Sequence, residues 1–411
     1  MKELEIGTLK SLSEQFGDTF YLLDTDQFRR NFTELREAFQ KIYPKSNIAY
    51  SYKTNYIPQL CRIVDELGGY AEVVSDMECR IAKEIGVNPE HIAFNGPYKN
   101  KAKVEEFLLE GVNINLDSIY ELRHIVSVAN KYPDKEFGVG IRCNFEIGDG
   151  VLSRFGFDVD GEDFKTALSL IKETPNLRLK GMHSHFASRS LDTWPVRTRK
   201  MLEVVQKYYE GIPEYICQGG GIFGKMAESL KCQFDSYIPN YEEYAAAVCP
   251  LYQELYGDLP PKQQPTLFIE PGSALVGDCM KFAAKVVSIK DVRGKSIATL
   301  LGSIYNINPT LNKKNPPLKV YHMGEYQPVR YEDLDFGGFT CIESDYLYRH
   351  YTGELAVGDY VVFGNVGSYS IVLKPPFILP NFAIVELKDD GDYRLVKGAE
   401  CFEDLFHTYR F

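Results

Sequence analysis

Between about residues 19 and 276, short apolar runs alternate with helix-like stretches at a spacing of roughly thirty residues, the rhythm of strand–helix units closing into a parallel barrel. The candidate strands are 48–51, 71–74, 92–94, 114–116, 138–142, 179–185, 215–218 and 268–270, eight in all. Between them lie stretches such as Asp117-Ser118-Ile119-Tyr120-Glu121-Leu122, where Ser118 or Asp117 can cap a helix and apolar residues recur every three or four positions. After about residue 277 the texture turns β-rich, with runs at 285–289, 296–301, 318–322, 360–364 and 370–373. The expected fold class is α/β: a (β/α)8 barrel over 24–277, followed by a smaller β domain built from 1–23 and 278–411. Lys313-Lys314-Asn315-Pro316-Pro317 reads as a turn or short linker.

The 57 acidic and 46 basic residues leave a formal charge of −11, which disfavours nucleic acid or an anionic membrane as the main partner and points to a small molecule. The N-terminus has no basic stretch followed by an apolar core, and no run of some twenty apolar residues occurs, so a cytoplasmic protein is expected. Nine scattered cysteines without a Cys-x-x-Cys pair indicate neither a disulfide framework nor a zinc site, and no metal is expected.

In such a barrel, chemistry gathers where the strands end. Lys53, in Tyr50-Ser51-Tyr52-Lys53-Thr54-Asn55, follows the first run, a position from which an amine can form a Schiff base. A solvated surface lysine is the plainer reading of that block alone. His183-Ser184-His185-Phe186-Ala187-Ser188 ends another run, and only one of its two histidines is expected to face the barrel mouth. Gly219-Gly220-Gly221-Ile222-Phe223-Gly224 offers consecutive N–H groups with no Cβ in the way, suited to wrapping a phosphate. It lies far from the first strand, where a dinucleotide fingerprint belongs. Glu270-Pro271-Gly272-Ser273 ends the last run with a carboxylate in apolar surroundings. Such an acid needs a cation or a proton donor, either a barrel lysine or arginine or the ring nitrogen of a cofactor. Taken together, the lysine, histidine, glycines and glutamate match what pyridoxal phosphate requires: an amine, a stacking ring, a phosphate cradle and an acid at the pyridine.

On these blocks the chain resembles the alanine-racemase-fold (fold-type III) pyridoxal-phosphate enzymes, in the branch of diaminopimelate, ornithine and related decarboxylases. The resemblance extends from about Tyr50 to Tyr369 and includes, in order, Glu72-Val73-Val74-Ser75, Ser153-Arg154-Phe155-Gly156, Cys341-Ile342-Glu343-Ser344-Asp345 and Gly367-Ser368-Tyr369. It implies that Lys53 carries the cofactor and that His185 stacks on its ring. Ser188, Gly219, Gly220, Gly221 and Tyr369 would hold the phosphate, Glu270 would pair with the pyridine nitrogen, and Arg142 would lie near the cofactor. It also implies a homodimer with shared active sites, the Cys341 block crossing from the second subunit.

Loss of carbon dioxide leaves electrons at Cα, for which a protonated pyridine is a better sink than a neutral one. Glu270 would supply that protonation, whereas racemases of this fold place an arginine there. Cys341 is then a fitting acid to reprotonate Cα. The distal pocket departs from the family pattern. Diaminopimelate decarboxylases carry arginine where Ser273 and Asn308 stand and tyrosine where Asn312 stands, groups that grip the distal carboxylate. Losing two such clamps removes charge-assisted bonds of roughly 1.5–3 kcal/mol each. Ornithine-type enzymes carry acids where Gly302 and Ile342 stand here; Glu343 is the nearest substitute, with Asp345 a further substrate contact. The expected substrate is therefore a modified or conjugated diamino acid, acylated or citryl-linked, of a siderophore or other specialised pathway. Diaminopimelate, ornithine or lysine decarboxylation and racemisation are the alternatives.

Overall fold

All eight expected barrel strands are present in a computed structural model that describes residues 4–388 and 391–411. Contacts divide the chain into two compact units. One holds Asn31–Phe223 and Ser236–Ala274; the other holds the chain up to Arg30, Gly224–Asp235 and everything from Leu275 onwards.

Strand β1 (Thr19–Leu23) belongs to the second unit. The barrel unit contains β2 (Ser46–Ser51), β3 (Tyr70–Val73), β4 (Ile92–Phe94), β5 (Asn113–Leu116) and β6 (Phe137–Asn144), then a two-residue β7 (Phe157–Asp158) paired to the end of β6. It continues with β8 (Leu177–His183), β9 (Tyr215–Cys217) and β10 (Thr266–Ile269). Neighbours pair in parallel from β2 through β6, on to β8, β9 and β10, and back to β2, where Ile269 faces Ile48. The runs are short and apolar because a barrel strand is covered on both sides, by helices outside and by its own core inside. Outer helices follow ordinary rules. Ser118 caps Ile119–Lys131 by accepting from Glu121 N at 3.4 Å, and Ile119, Leu122, Ile125, Val128 and Ala129 are buried along one stripe.

The second unit is a mixed sheet of β1 with β11 (Met280–Val292), β12 (Lys295–Leu300), β13 (Leu318–Tyr321), β14 (Val329–Gly337), β15 (Tyr346–Leu355), β16 (Tyr360–Phe363), β17 (Ala383–Leu387) and β18 (Tyr393–Lys397). Leu9, Leu12, Phe20, Leu22, Ala283, Val362 and Val385 are among its core residues. One expected strand is wrong: Ser370–Leu373 is a single helical turn. Tyr369 enters it with φ 60°, reversing the chain, and Leu373 N bonds back to Tyr369 O at 3.2 Å, so the apolar run Ile371-Val372-Leu373 coils instead of extending.

Candidate active site

The C-terminal ends of the barrel strands bring together most of the residues singled out from the sequence. Beyond β2 the chain makes a 3-10 turn over Tyr52–Thr54, anchored by Tyr50 OH donating to Asn55 O at 2.7 Å, and this turn carries Lys53. Lys53 Nζ forms an ion pair with Glu72 of β3 and lies 3.3 Å from Ser51 Oγ. Glu72 is buried while the Lys53 side chain is 28% exposed, so the amine sits at the mouth with its counter-charge beneath it.

Glu270, one residue past β10, is fully buried in a ring of donors. Asn95 Nδ2 donates to its Oε1 at 2.6 Å and Cys217 Sγ at 3.2 Å, while His183 Nε2 and His185 Nδ1 lie 3.1 and 3.2 Å from the carboxylate. Burial alone would raise this acid, but the two imidazoles outweigh it and hold Glu270 well below the usual carboxylate range. Burial pushes His185 down and, with the Glu270 anion beside it, pushes the Cys217 thiol up, so Cys217 stays a donor. Of the two histidines only His185 is partly exposed, His183 being buried, yet they do not point to opposite sides. Residues two apart in an extended chain share a side, and both reach the same carboxylate. His185 Nδ1 also lies 3.2 Å from Gly220 N, whose N–H can only donate, so this nitrogen serves Glu270 when it carries a proton and accepts from Gly220 when it does not.

The glycine loop fits a phosphate. Gly219 and Gly221 have φ of 69° and 91°, and a Cβ would stand 2.4 Å from Ser184 O at Gly219, 2.6 Å from Glu270 O at Gly220 and 2.4 Å from Ser188 O at Gly221. Ser188 thus abuts the cradle, its Oγ accepting from Ser190 N at 3.4 Å. Behind the loop lies Arg197, wholly buried, with Nη2 donating to Gly220 O at 2.9 Å and its Nε and Nη1 without hydrogen-bond partners among the described residues. Burial lowers it to about 9, which leaves it cationic at neutral pH; its guanidinium stacks on Trp194, 3.1 Å from the ring centroid, and places a positive charge behind a nest of N–H groups. Arg142 of β6 is buried, 3.4 Å from Asp117 Oδ1, with its guanidinium 4.6 Å from the Phe155 ring centroid.

Ser273 Oγ accepts from Arg189 Nη2 at 3.4 Å, and Arg189 has no carboxylate partner among the described residues. Cys341, Glu343, Asp345, Asn308, Asn312 and Tyr369 lie in the second unit. Cys341 and Glu343 are exposed there. Asp345, expected at the substrate, is buried and accepts four bonds, from Ser303 Oγ (3.0 Å), Ile304 N (2.7 Å), Thr340 Oγ1 (2.6 Å) and Thr340 N (3.3 Å). A carboxylate has about four acceptor sites, so Asp345 is occupied in tying the Thr340 segment to the turn at Ser303 and Ile304. Asn308 and Asn312 bond each other, Asn312 Nδ2 donating to Asn308 Oδ1 at 3.0 Å.

Glu72, Asn95, His183, Cys217, Arg189 and Arg197 were not assigned from the sequence. Glu72 lies in a quoted block, and His183 stands two before His185, so their positions were readable. Asn95 and Arg197 became visible only once β4, β10 and the glycine loop were side by side.

A parallel barrel with an amine, a buried anionic acid and a phosphate cradle at one mouth is the arrangement of a pyridoxal-phosphate enzyme. The family described as "Pyridoxal-dependent decarboxylase, pyridoxal binding domain" matches residues 26–277. The chain belongs to this family; it is a decarboxylase that uses pyridoxal phosphate. Among its relatives is the diaminopimelate decarboxylase of Aquifex aeolicus, 24% identical over 97% of this chain and 93% of that one. Another is the L-glutamyl-[BtrI acyl-carrier protein] decarboxylase of Niallia circulans, 25% identical over 98% of this chain and 96% of that one. The crystal structure of the M. jannaschii diaminopimelate decarboxylase shares the fold, with a TM-score of 0.84 at 24% identity over 98% of this chain and 94% of that one. No helix among the described residues is long and apolar enough to cross a membrane.

Proposed function

We propose that the protein removes the α-carboxylate of an amino acid whose distal end is modified or conjugated, such as an acyl- or citryl-linked diamino acid, and that meso-diaminopimelate is not its substrate. Ser273 carries this reading: it stands where the resemblance leads one to expect a carboxylate-gripping arginine. Asn308 and Asn312, at two further gripping positions, satisfy each other. The relative whose name places its glutamyl substrate on an acyl-carrier protein supports a distal pocket open to something larger than a free amino acid.

Bound pyridoxal phosphate supplies an electron sink for the carbon that loses carbon dioxide. In this reading Lys53 holds the cofactor's aldehyde, with Glu72 and Ser51 orienting the amine. Gly219, Gly220, Gly221, Ser188 and Tyr369 receive the phosphate. His185 covers the ring, Arg142 flanks it, and Glu270 keeps the proton on the ring nitrogen. Cys341 returns a proton to Cα, supplied by the second subunit of a homodimer.

One observation favours a second reading, diaminopimelate decarboxylation. Arg189 brings a guanidinium beside Ser273, so a cation is present near that position although it comes from another loop. The two readings separate when carbon dioxide release is measured on meso-diaminopimelate, ornithine, lysine and conjugated diaminopropionates, with and without Arg189→Met. Release from a conjugate alone supports the first. Saturable turnover of meso-diaminopimelate that Arg189→Met abolishes overturns it in favour of the second.

A further inference from the structure

Three polar side chains run through the apolar interior of the barrel to Glu270. Tyr215 OH donates to Asn115 Oδ1 at 2.7 Å, Asn115 Nδ2 donates to Asn95 Oδ1 at 2.7 Å, and Asn95 Nδ2 donates to Glu270 Oε1 at 2.6 Å. None of the four residues is more than 9% exposed. They come from β9, β5 and the ends of β4 and β10, so the line crosses the barrel. Gly140 of β6 makes room for it: a Cβ there would stand 1.9 Å from Asn115 Oδ1 and 2.1 Å from the Tyr215 hydroxyl.

The direction of the line is dictated from its inner end. A carboxylate only accepts, so Asn95 turns its NH2 towards Glu270 and its carbonyl oxygen away. Asn115 must then offer its own NH2 to that oxygen, which leaves its carbonyl oxygen for a hydroxyl donor. Burial pushes the Tyr215 phenol up and keeps it a donor. A protonated Glu270 donating to Asn95 would require both amides to flip, and the Tyr215 proton would then lose its acceptor. Buried polar groups stripped of partners are disfavoured, so the line keeps a proton off Oε1, and its donated bond, stronger to an anion than to a neutral acid, favours the carboxylate even though Oε2 faces the imidazoles.

We infer that Tyr215, Asn115 and Asn95 form a one-way hydrogen-bond chain that holds Glu270 Oε1 as an acceptor and favours the carboxylate over the acid, which makes them positioning residues for the acid at the cofactor ring. Glu270 acting at the ring nitrogen, as proposed above, is the premise. The other groups facing Glu270 are His183 and His185 from β8 and the segment after it and Cys217 from β9, with the Lys53–Glu72 pair beyond Asn95. Both imidazoles act in the same direction as the chain, so its share is read by altering the chain alone. A cavity of about 410 Å³ is lined by Tyr215, Asn115, Cys217 and Glu270 among others. Alanine at 115 would admit water there, whereas leucine fills the space without a donor.

The test follows Glu270 in the cofactor-free protein by isotope-edited infrared spectroscopy, using the carboxylic-acid carbonyl band that Glu270→Gln removes. In Asn115→Leu this band appears at a pH higher than in the wild type by about one unit or more. Tyr215→Phe, which loses only the outermost donor, moves it the same way by less. In the loaded enzyme Asn115→Leu lowers kcat about tenfold with KM within about twofold, and its kcat profile bends at a correspondingly higher pH. An unmoved band in folded Asn115→Leu protein overturns the inference. If that variant does not fold, an unmoved band in Tyr215→Phe overturns it. Wild-type decarboxylation by Glu270→Gln would overturn the premise separately, because the band shift reads the chain without the cofactor.

Discussion

The amine of Lys53 is held against the carboxylate of Glu72, which rises from the neighbouring strand of the barrel. An ammonium must give up a proton before it can attack an aldehyde, and in the role proposed for Lys53 the carboxylate in contact would accept it. Lys53→Ala therefore abolishes borohydride trapping of pyridoxal phosphate and lowers decarboxylation by at least ~10³-fold, while Glu72→Gln slows cofactor loading about tenfold at neutral pH. Stopped-flow absorbance of loading, followed by mass analysis of the trapped adduct, checks both.

Gly221→Ala places a Cβ 2.4 Å from Ser188 O at a φ of 91°. Left-handed strain at a non-glycine residue is of order 1–3 kcal/mol. Because the loop can relieve it only by leaving its cradle geometry, pyridoxal phosphate is expected to bind roughly 10- to 100-fold more weakly, as read by equilibrium dialysis. Thermal stability of the cofactor-free variant should fall by less than that of the loaded one.

Cys341→Ala is expected to lower kcat by about 10²–10⁴-fold, the range for loss of a proton donor, with little change in KM. If the cysteine acts across a homodimer, mixing inactive Lys53→Ala with inactive Cys341→Ala and allowing subunits to exchange restores about a quarter of wild-type activity, since half of the dimers are mixed and each carries one intact site. No recovery on mixing would show that each subunit uses its own Cys341.

Lys374 Nζ is buried without a hydrogen-bond partner among the described residues, 5.2 Å from the Tyr21 ring centroid, and burial lowers its ammonium to about 7. The folded protein thus binds this proton less tightly than the unfolded chain does. Below about pH 7 both states carry it and the folded state bears the full penalty; as pH rises from there towards the ordinary lysine value the penalty is relieved and stability increases. Lys374→Met should raise the unfolding midpoint at about pH 6, with the difference from wild type vanishing towards about pH 10. Calorimetry of the two proteins across that range checks it.

The barrel was legible because each of its strands is an apolar run covered on both faces, bounded by turns and spaced by amphipathic helices. Lys53, His185, the glycine loop and Glu270 were legible because they end such runs. In the other unit β14 and β15 escaped notice: Arg330, Glu332 and Asp333 on one and Arg349 and His350 on the other are largely exposed, so neither strand shows a clean alternation. The Asn95–Asn115 line was hidden for a different reason. An asparagine inside the run Asn113-Ile114-Asn115-Leu116 looks like an interruption until the barrel closes and its amide meets a partner from β4. Asp345 shows the converse, a residue in a recognisable block whose carboxylate is occupied by Thr340 of its own loop and by Ser303 and Ile304 from a distant turn.

The most direct measurement is the fate of the α-carboxylate when purified protein loaded with pyridoxal phosphate meets its substrate in heavy water. The account predicts one carbon dioxide released per amino acid consumed, one deuteron at the former Cα, and neither event in Lys53→Ala. A product that keeps its carboxylate with Cα deuterated would identify an epimerase and contradict it, as would carbon dioxide release undiminished by Lys53→Ala.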